Sequence, residues 1–192
     1  YLLGLMYSDG NLATKTKKFK ITLKAEDKYL LEKIGILLKG DDKLRYNKLQ
    51  NAYELEGQNP FLYKQFLDHG LTPKKSDIII VPDHLKDQQH FWRGMIDGDG
   101  WISIQKKNEF GITIGICGTI DVCNKFKNYC SNIIDTSTNN IFIRKEYKSG
   151  NYAQFSLKGR KAIKMFEHLY QNKGEFYLKR KYEQFEKYME RS

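Results

Sequence analysis

The sequence predicts an α+β protein made of two tandem helix-ββ-helix-ββ-helix repeats related by pseudo-twofold symmetry. Two observations predict this architecture. The segment LLGLMYSDG at 2–10 recurs as WRGMIDGDG at 92–100, an offset of 90 in a chain of 192 residues. After each copy, strand-like alternation of apolar and polar residues gives way to helical stripes of apolar residues. We therefore expect an N-terminal repeat at 1–80 and a C-terminal repeat at 81–192.

The first repeat shows both periodicities in order. Phe19, Ile21 and Leu23 alternate with polar residues, which is typical of a strand with one buried face, whereas the next apolar residues recur at helical spacing. After the motif helix, the predicted elements are strands over 12–17 and 19–24, a helix over 26–38, strands over 43–48 and 52–56, and a helix over 60–69.

The second repeat follows the same order and adds one helix at its end. The predicted elements are strands over 101–107 and 110–116, a helix over 119–134, strands over 141–147 and 152–158, and helices over 160–171 and 175–191. The connection over 73–87 is not rich enough in Gly and Ser to be a flexible tether. We therefore expect the two repeats to pack together.

Charge and composition exclude several classes of protein. The chain has 33 Lys and Arg against 23 Asp and Glu, a formal charge of +10 that suggests a polyanionic partner. No apolar run approaches the ~18 residues that span a bilayer. Three cysteines without CxxC spacing encode neither a disulfide framework nor a zinc site. These features predict an intracellular protein of a reducing compartment, such as a microbial cytoplasm or an organelle matrix.

The repeated motif suggests a metal site. Gly4 and Gly94 lack a Cβ and would let two motif helices pack closely, which would bring Asp9 and Asp99 side by side at helix C-termini. Their mutual repulsion and the helix dipoles both favour a bound cation. Oxygen ligands of this kind suit Mg²⁺, which can activate water for attack on a phosphate.

Simpler interpretations of the motif are a plain helix stop and an EF-hand. The first fits any single Asp-Gly and becomes weaker for a matched pair in a cationic chain. The second fails because positions six and twelve of the calcium loop, counted from Asp97, are Ile102 and Asn108 instead of Gly and Glu.

The polar faces of the strands predict a nucleic-acid interface. Residues 11–24 contain five Lys and no acidic residue, and a basic β-ribbon fits the major groove of DNA. Strand alternation selects the side chains that would face DNA: Ala13, Lys15, Lys17, Lys20, Thr22, Lys24, Lys43, Arg45, Asn47, Ser103, Gln105, Lys107, Thr113, Arg144, Tyr152, Gln154 and Ser156.

The two motifs resemble those of the LAGLIDADG homing endonucleases in their single-chain, two-motif form. Tyr7 and Ser8 depart from the family pattern in the first motif, whereas Asp9 is retained. GLTPKKS at 70–76 and YLKRKY at 177–182 resemble two further family elements, each of which contributes a lysine beside the active site. This implies Lys75, with Lys74 as the alternative, and Lys181 as catalytic residues together with Asp9 and Asp99.

The resemblance implies central motif helices and antiparallel sheets that form a DNA-binding saddle. It further implies a monomeric enzyme of intron homing that cuts both strands of a long, asymmetric target and leaves 3′ overhangs. Mg²⁺ would be the cofactor, with Mn²⁺ as a substitute and Ca²⁺ binding without cleavage. The alternatives are a non-cleaving binder on the same scaffold, namely an RNA maturase or a transcription regulator, and a protein-interaction module.

Overall fold

The first repeat alternates helices with strands that form one sheet. The structure, a computed structural model, describes residues 1–38, 43–73, 78–105, 111–144 and 150–191. The elements of the first repeat are α1 (Leu2–Ser8), β1 (Gly10–Ala13), β2 (Lys18–Lys24), a 3-10 turn (Ala25–Asp27), α2 (Lys28–Leu38), β3 (Lys43–Asn47), β4 (Ala52–Gly57) and α3 (Pro60–Asp68).

The second repeat has the same order with one extra helix. Its elements are α4 (Gln89–Gly98), β5 (Gly100–Ile104), β6 (Ile112–Thr119), α5 (Ile120–Ser131), β7 (Phe142–Ile143), β8 (Tyr152–Lys158), α6 (Arg160–Tyr170) and α7 (Lys179–Met189). The predicted α+β architecture with two tandem repeats is confirmed.

Each repeat builds an antiparallel four-stranded sheet with the same topology. The strand orders are β1-β2-β4-β3 and β5-β6-β8-β7. In β2 and in β8, every second residue is buried against the helices, which leaves the opposite face of each sheet for polar side chains. The open face of each sheet begins at the C-terminal end of a motif helix, because β1 directly follows α1 and β5 directly follows α4.

Local signals place the helix starts where the sequence suggests them. The side chain of Asn59 accepts a hydrogen bond from Leu62 N at the start of α3, and Pro60 occupies the first helical turn. Thr119 caps α5 in the same way by accepting from Val122 N. These caps satisfy amide groups that a helix cannot pair internally.

The end of the first strand and the start of the last helix differ from the prediction. The first strand ends at Ala13, and Lys15 and Lys17 lie in the hairpin turn instead of in a strand. Lys17 has a positive φ of 50°, which a hairpin turn tolerates and a strand does not. At the other end of the chain, α7 begins at Lys179 and not at 175, because Leu178 has an extended backbone and its amide donates to Asp97 Oδ2.

One continuous core joins the two repeats. Leu5, Met6, Trp92 and Ile96 of the central helices are at most 1% exposed and pack with apolar residues of both sheets. No helix of the described residues is long and apolar enough to cross a membrane. The cysteines Cys117, Cys123 and Cys130 are free thiols.

Candidate active site and nucleic-acid interface

Helices α1 and α4 pack against each other through their glycines. The backbones of Gly4 and Gly94 are so close that a Cβ built on either residue would lie 3.0 Å from the Cα atom of the other. A Cβ on Gly4 would also overlap the carbonyl oxygen of Phe91, and one on Gly94 that of Tyr1. The structure thus brings together the two glycines that the sequence singles out, and only glycine fits at this crossing.

The C-terminal ends of the two helices also meet. A Cβ on Gly98 would overlap the side chain of Ser8 and lie 2.7 Å from Asp9 Oδ2. Asp9 and Asp99 occupy equivalent positions as the C-caps of α1 and α4. Asp9 is half-buried and Asp99 is exposed. Two carboxylates therefore stand at the adjacent negative ends of two helix dipoles.

The backbone of each aspartate leads directly into a sheet. Asp9 O accepts from Thr22 N and Asp99 O accepts from Cys117 N, each at 3.3 Å. This matched pair of hydrogen bonds fixes the backbone of each aspartate at the start of one open sheet face. A ligand lying across both faces would pass the two aspartates.

The residues present suit a magnesium-like ion more than a zinc-like one. Among the described residues, no group of three or more His, Cys, Asp and Glu side chains could hold a metal. The carboxylates of Asp9 and Asp99 could supply two oxygen ligands without such a cage. Mg²⁺ binds in this way, since it keeps several waters and takes its other oxygens from a substrate phosphate.

The residue two positions before each aspartate is buried and structural. Asp97 is 0% exposed and accepts hydrogen bonds from Tyr170 Oη, from Tyr1 Oη at 2.7 Å and from Leu178 N at 2.9 Å. Its burial raises the pKa of the Asp97 carboxyl, which these donors oppose. In the first repeat Tyr7 takes the equivalent position and donates to His69 O at 2.7 Å. Tyr7 thus preserves the packing role of this position.

Lys181 lies directly beneath the end of α4. Its Nζ donates to the carbonyl oxygens of Ile96, Asp97 and Gly100, each at 2.6 Å, and the residue is 5% exposed. Burial lowers the pKa of Lys181 to about 8, against the opposing effect of nearby carboxylates, Asp9 and Asp99 among them. The ammonium therefore caps the helix whose last residue precedes Asp99.

The open face of the first sheet carries both signs of charge. Lys20, Thr22 and Lys24 lie on it in β2, and the register places Lys43, Arg45 and Asn47 of β3 on the same face. Glu54 and Glu56 of β4 lie between them. Lys18 pairs with Glu56 at 2.7 Å, Lys20 pairs with Glu54 at 3.2 Å, and Asn47 Nδ2 donates to Glu54 at 3.1 Å.

The open face of the second sheet is mostly neutral among the described residues. Its side chains are those of Ser103, Thr113, Cys117, Tyr152, Gln154 and Ser156, with Lys158 at one end. Arg144 follows β7 and donates to Gln154 Oε1 at 3.2 Å. Trp101 lies over Gly115, where a Cβ would overlap the indole ring. Gln105 is exposed just beyond β5.

Some predicted site residues lie outside the part of the chain that the structure describes, and the sequence analysis did not predict some residues that the structure places at the site. Lys75 and Lys107 lie outside the described residues. Glu54 and Glu56 were missed although their alternation with buried Leu55 in β4 indicates the open face. The partners of Asp97 come from positions 1, 170 and 178, so no local pattern identifies them.

Solved structures match the whole chain, whereas no family sequence model and no curated protein matches its sequence. The LAGLIDADG homing endonuclease I-LtrWI, bound to target DNA, is 14% identical with a TM-score of 0.60 and covers 97% of this chain and 87% of its own. The meganuclease I-AabMI, bound to uncleaved DNA, is 15% identical with a TM-score of 0.62 over 98% and 88% of the two chains. I-SmaMI, bound to uncleaveable DNA, is 12% identical with a TM-score of 0.62 over 98% and 88%.

These likenesses define the class of fold. The α+β arrangement of two repeats in one chain, each with a four-stranded antiparallel sheet, is the fold of the LAGLIDADG homing endonucleases. The resemblance expected from the two motifs is confirmed at this level.

Proposed function

We propose that the protein is a site-specific double-strand DNA endonuclease that hydrolyses phosphodiesters with a divalent metal at a long, asymmetric target and leaves 3′ overhangs. One observation carries the proposal. Asp9 and Asp99 cap two helices that touch through Gly4 and Gly94, and both open sheet faces start at these caps. Two carboxylates would thus meet the two strands of a duplex that lies along both sheets.

The two sheet faces support DNA as the substrate. A strand of about eight residues covers ~26 Å, so the two sheets together span on the order of 16 base pairs. The first face is rich in Lys and Glu and the second in neutral hydrogen-bonding groups, which suits a target without palindromic symmetry. The proposed DNA contacts are those predicted from the sequence, with Lys15 and Lys17 contributing from the hairpin turn.

Asp9 and Asp99 would hold the divalent cation. Such an ion, when bound, lowers the pKa of water and neutralises charge on the scissile phosphate. By this binding, Asp9 and Asp99 would orient the attacking water towards the phosphorus atom. The new bond is water oxygen to phosphorus, the bond that breaks is phosphorus to the 3′ oxygen, and the proton lost by water balances the one that the 3′ oxygen gains.

Lys181 would support this chemistry by its charge. Its ammonium is held by three carbonyl groups behind Asp99 and offsets the negative end of the α4 dipole. We propose that Lys75, or Lys74 beside it, serves the Asp9 site in the same manner. We also propose that repeats 1–80 and 81–192 form a functional monomer, because each motif helix finds its partner within the chain.

Cleavage of a randomised duplex library tests the proposal. The purified protein is incubated with Mg²⁺, Mn²⁺, Ca²⁺ or EDTA, and cut ends are sequenced. We expect breaks at one long motif in Mg²⁺ and Mn²⁺, binding without breaks in Ca²⁺, and no breaks in EDTA. Asp9→Asn and Asp99→Asn should each lose the cut on one strand, whereas Asp68→Asn, which pairs with Lys64 on the surface of α3, should cut normally.

Enrichment of one motif without breaks in any metal would refute the nuclease and leave the non-cleaving binder, either an RNA maturase or a regulator. The departure of Tyr7 from the motif does not favour that alternative, since its hydroxyl makes a structural hydrogen bond to His69 O. Breaks that persist in the double aspartate variant would show that these carboxylates do not hold the reactive metal.

A further inference from the structure

Residues 177–181, which we call the C-terminal strap, bind the first repeat although they belong to the second. Tyr29 Oη donates to Tyr177 O at 2.8 Å and accepts from Lys179 N at 2.6 Å. Arg180 Nε donates to Asp27 Oδ2 at 2.8 Å. One side of the strap is therefore held by the 3-10 turn and the first turn of α2.

The other side of the strap is bound to α4. Leu178 N donates to Asp97 Oδ2 at 2.9 Å, and Lys181 Nζ donates to three carbonyl oxygens at the end of α4. The strap alternates between the repeats, because residues 177, 179 and 180 contact the first and residues 178 and 181 the second. Movement of either contact would displace Lys181.

The contact between Asp27 and Arg180 is a partly buried ion pair. Asp27 is 1% exposed, the Arg180 side chain is 33% exposed, and Asp27 Oδ1 has no hydrogen-bond partner among the described residues. Arg180 thus compensates a carboxylate that has little access to water. Loss of one member of such a pair leaves an uncompensated charge and disrupts local structure.

The linker between the repeats makes an equivalent crossing. Thr119 Oγ1 donates to Ile79 O at 2.6 Å, and Val81 N donates to Asp121 Oδ2 at 2.8 Å. Thr119 and Asp121 lie at the start of α5, the counterpart of α2. The start of α5 thus holds residues 79–81, which follow the first lysine element, much as the 3-10 turn and α2 hold the strap that contains the second.

From these contacts we propose that Asp27 and Tyr29 of the first repeat are positioning residues for Lys181 in the second. Each repeat then completes the other, and Lys181 reaches the end of α4 only when both repeats are docked. The consequence for cleavage rests on the proposed nuclease function. The positioning of Lys181 by Asp27 and Tyr29 does not depend on that function.

Selective acetylation of lysines tests the positioning without any cleavage. The full chain is treated with limiting acetic anhydride at one fixed pH, and the modification of each lysine is measured by mass spectrometry. The variants are Tyr29→Phe and Asp27→Ala. The matched control is Glu32→Gln, which lies one turn along α2 and breaks a surface pair with Lys28 at 2.7 Å.

We expect acetylation of Lys181 to rise about tenfold in both variants, the effect of losing one or two hydrogen bonds that hold the strap, while Lys64 stays unchanged. In the control variant Lys181 should stay protected. Unchanged protection of Lys181 in Tyr29→Phe and in Asp27→Ala would overturn the proposal. If Asp27→Ala unfolds, every lysine becomes reactive, and Tyr29→Phe, which removes one hydroxyl, then decides.

Cleavage provides the second readout. If the wild type cuts DNA, both variants should slow the strand cut at the Asp99 site more than the cut at the Asp9 site, so that nicked DNA accumulates. Equal slowing of both cuts would refute a role specific to Lys181. A wild type that never cuts would refute the nuclease alone, because the acetylation result stands by itself.

Discussion

Replacing Gly4 by Ala tests whether the contact between α1 and α4 sets the geometry of the molecule. A Cβ at this position would overlap Phe91 O and lie 2.9 Å from Met95 N and 3.0 Å from Gly94 Cα. Ordinary Cβ contacts begin near 3.4 Å, so α4 would have to retreat by about 0.5 Å at Met95 and by more at Phe91. All of these atoms belong to backbone, so no side-chain rotation can relieve the overlap.

The expected loss follows from the effect of overpacking. Forcing extra carbon into a packed core costs about 1–3 kcal/mol, and the rigid backbone puts Gly4→Ala at the upper end even after the helix preference for Ala is counted. Gly35→Ala is the matched control, because among the described residues a Cβ there meets only Leu55 Cδ1, at an ordinary contact distance of 3.5 Å. It should stabilise the protein by up to about 1 kcal/mol.

Thermal denaturation followed by circular dichroism measures both effects. At roughly 2–4 °C per kcal/mol for a chain of this size, Gly4→Ala should lower Tm by about 5–10 °C and Gly35→Ala should raise it by about 2–4 °C. A Gly4→Ala protein as stable as the wild type would show that the helices are not in the close contact described here. The reasoning about the aspartate pair would then fail with it.

Four further predictions concern buried and paired charges. Asp97→Ala should lower the free energy of unfolding by about 3–5 kcal/mol in urea titration, since it leaves buried donors without an acceptor. Burial raises the pKa of Asp97, so the stabilisation linked to its protonated form is present in acid and is lost as pH rises. The stability of Asp97→Asn relative to wild type should therefore increase with pH above 4. A pH-independent difference would contradict this assignment. Hydrogen bonds and ion pairs lower the pKa of Glu54 and Glu56, so the stabilisation that these carboxylates give is present at neutral pH and lost in acid. The double Gln variant should therefore lose at most about 1 kcal/mol of unfolding free energy per residue at pH 7 and nothing near pH 2. On the proposed DNA interface, the same variant frees Lys18 and Lys20 for phosphates, and the slope of log K against log salt in a filter-binding assay should steepen by up to about 1 per lysine.

Periodicity in the sequence was sufficient for most of the fold. The order of helices and strands, the two repeats and the alternation in β2 and β8 all follow from local patterns of apolar residues. Turn geometry was harder to predict, since basic residues at 14–17 continue the strand-like spacing while the chain turns at Lys17. Strand ends depend on the partner strand, which a local pattern does not contain.

Part of the candidate site could also be predicted from the sequence. Gly4, Gly94, Asp9 and Asp99 are identified by the repeated motif itself, and the structure brings the two helices together at these residues. The roles of these residues in catalysis stay a prediction. Lys181 was selected by resemblance alone, and nothing in its local sequence indicates the three carbonyl groups that it binds.

By itself, the sequence determined the elements, their duplication and the residues that stand at the end of each motif helix, because these properties depend on spacing along the chain. Only the tertiary structure decided that Tyr1, Tyr170 and Leu178 surround Asp97, that Glu54 and Glu56 lie among the lysines, and that Asp27 of one repeat holds Arg180 of the other. The physical reason is that these contacts join residues between 34 and 153 positions apart. They form only when complete sheets and helices dock, and no local preference encodes them.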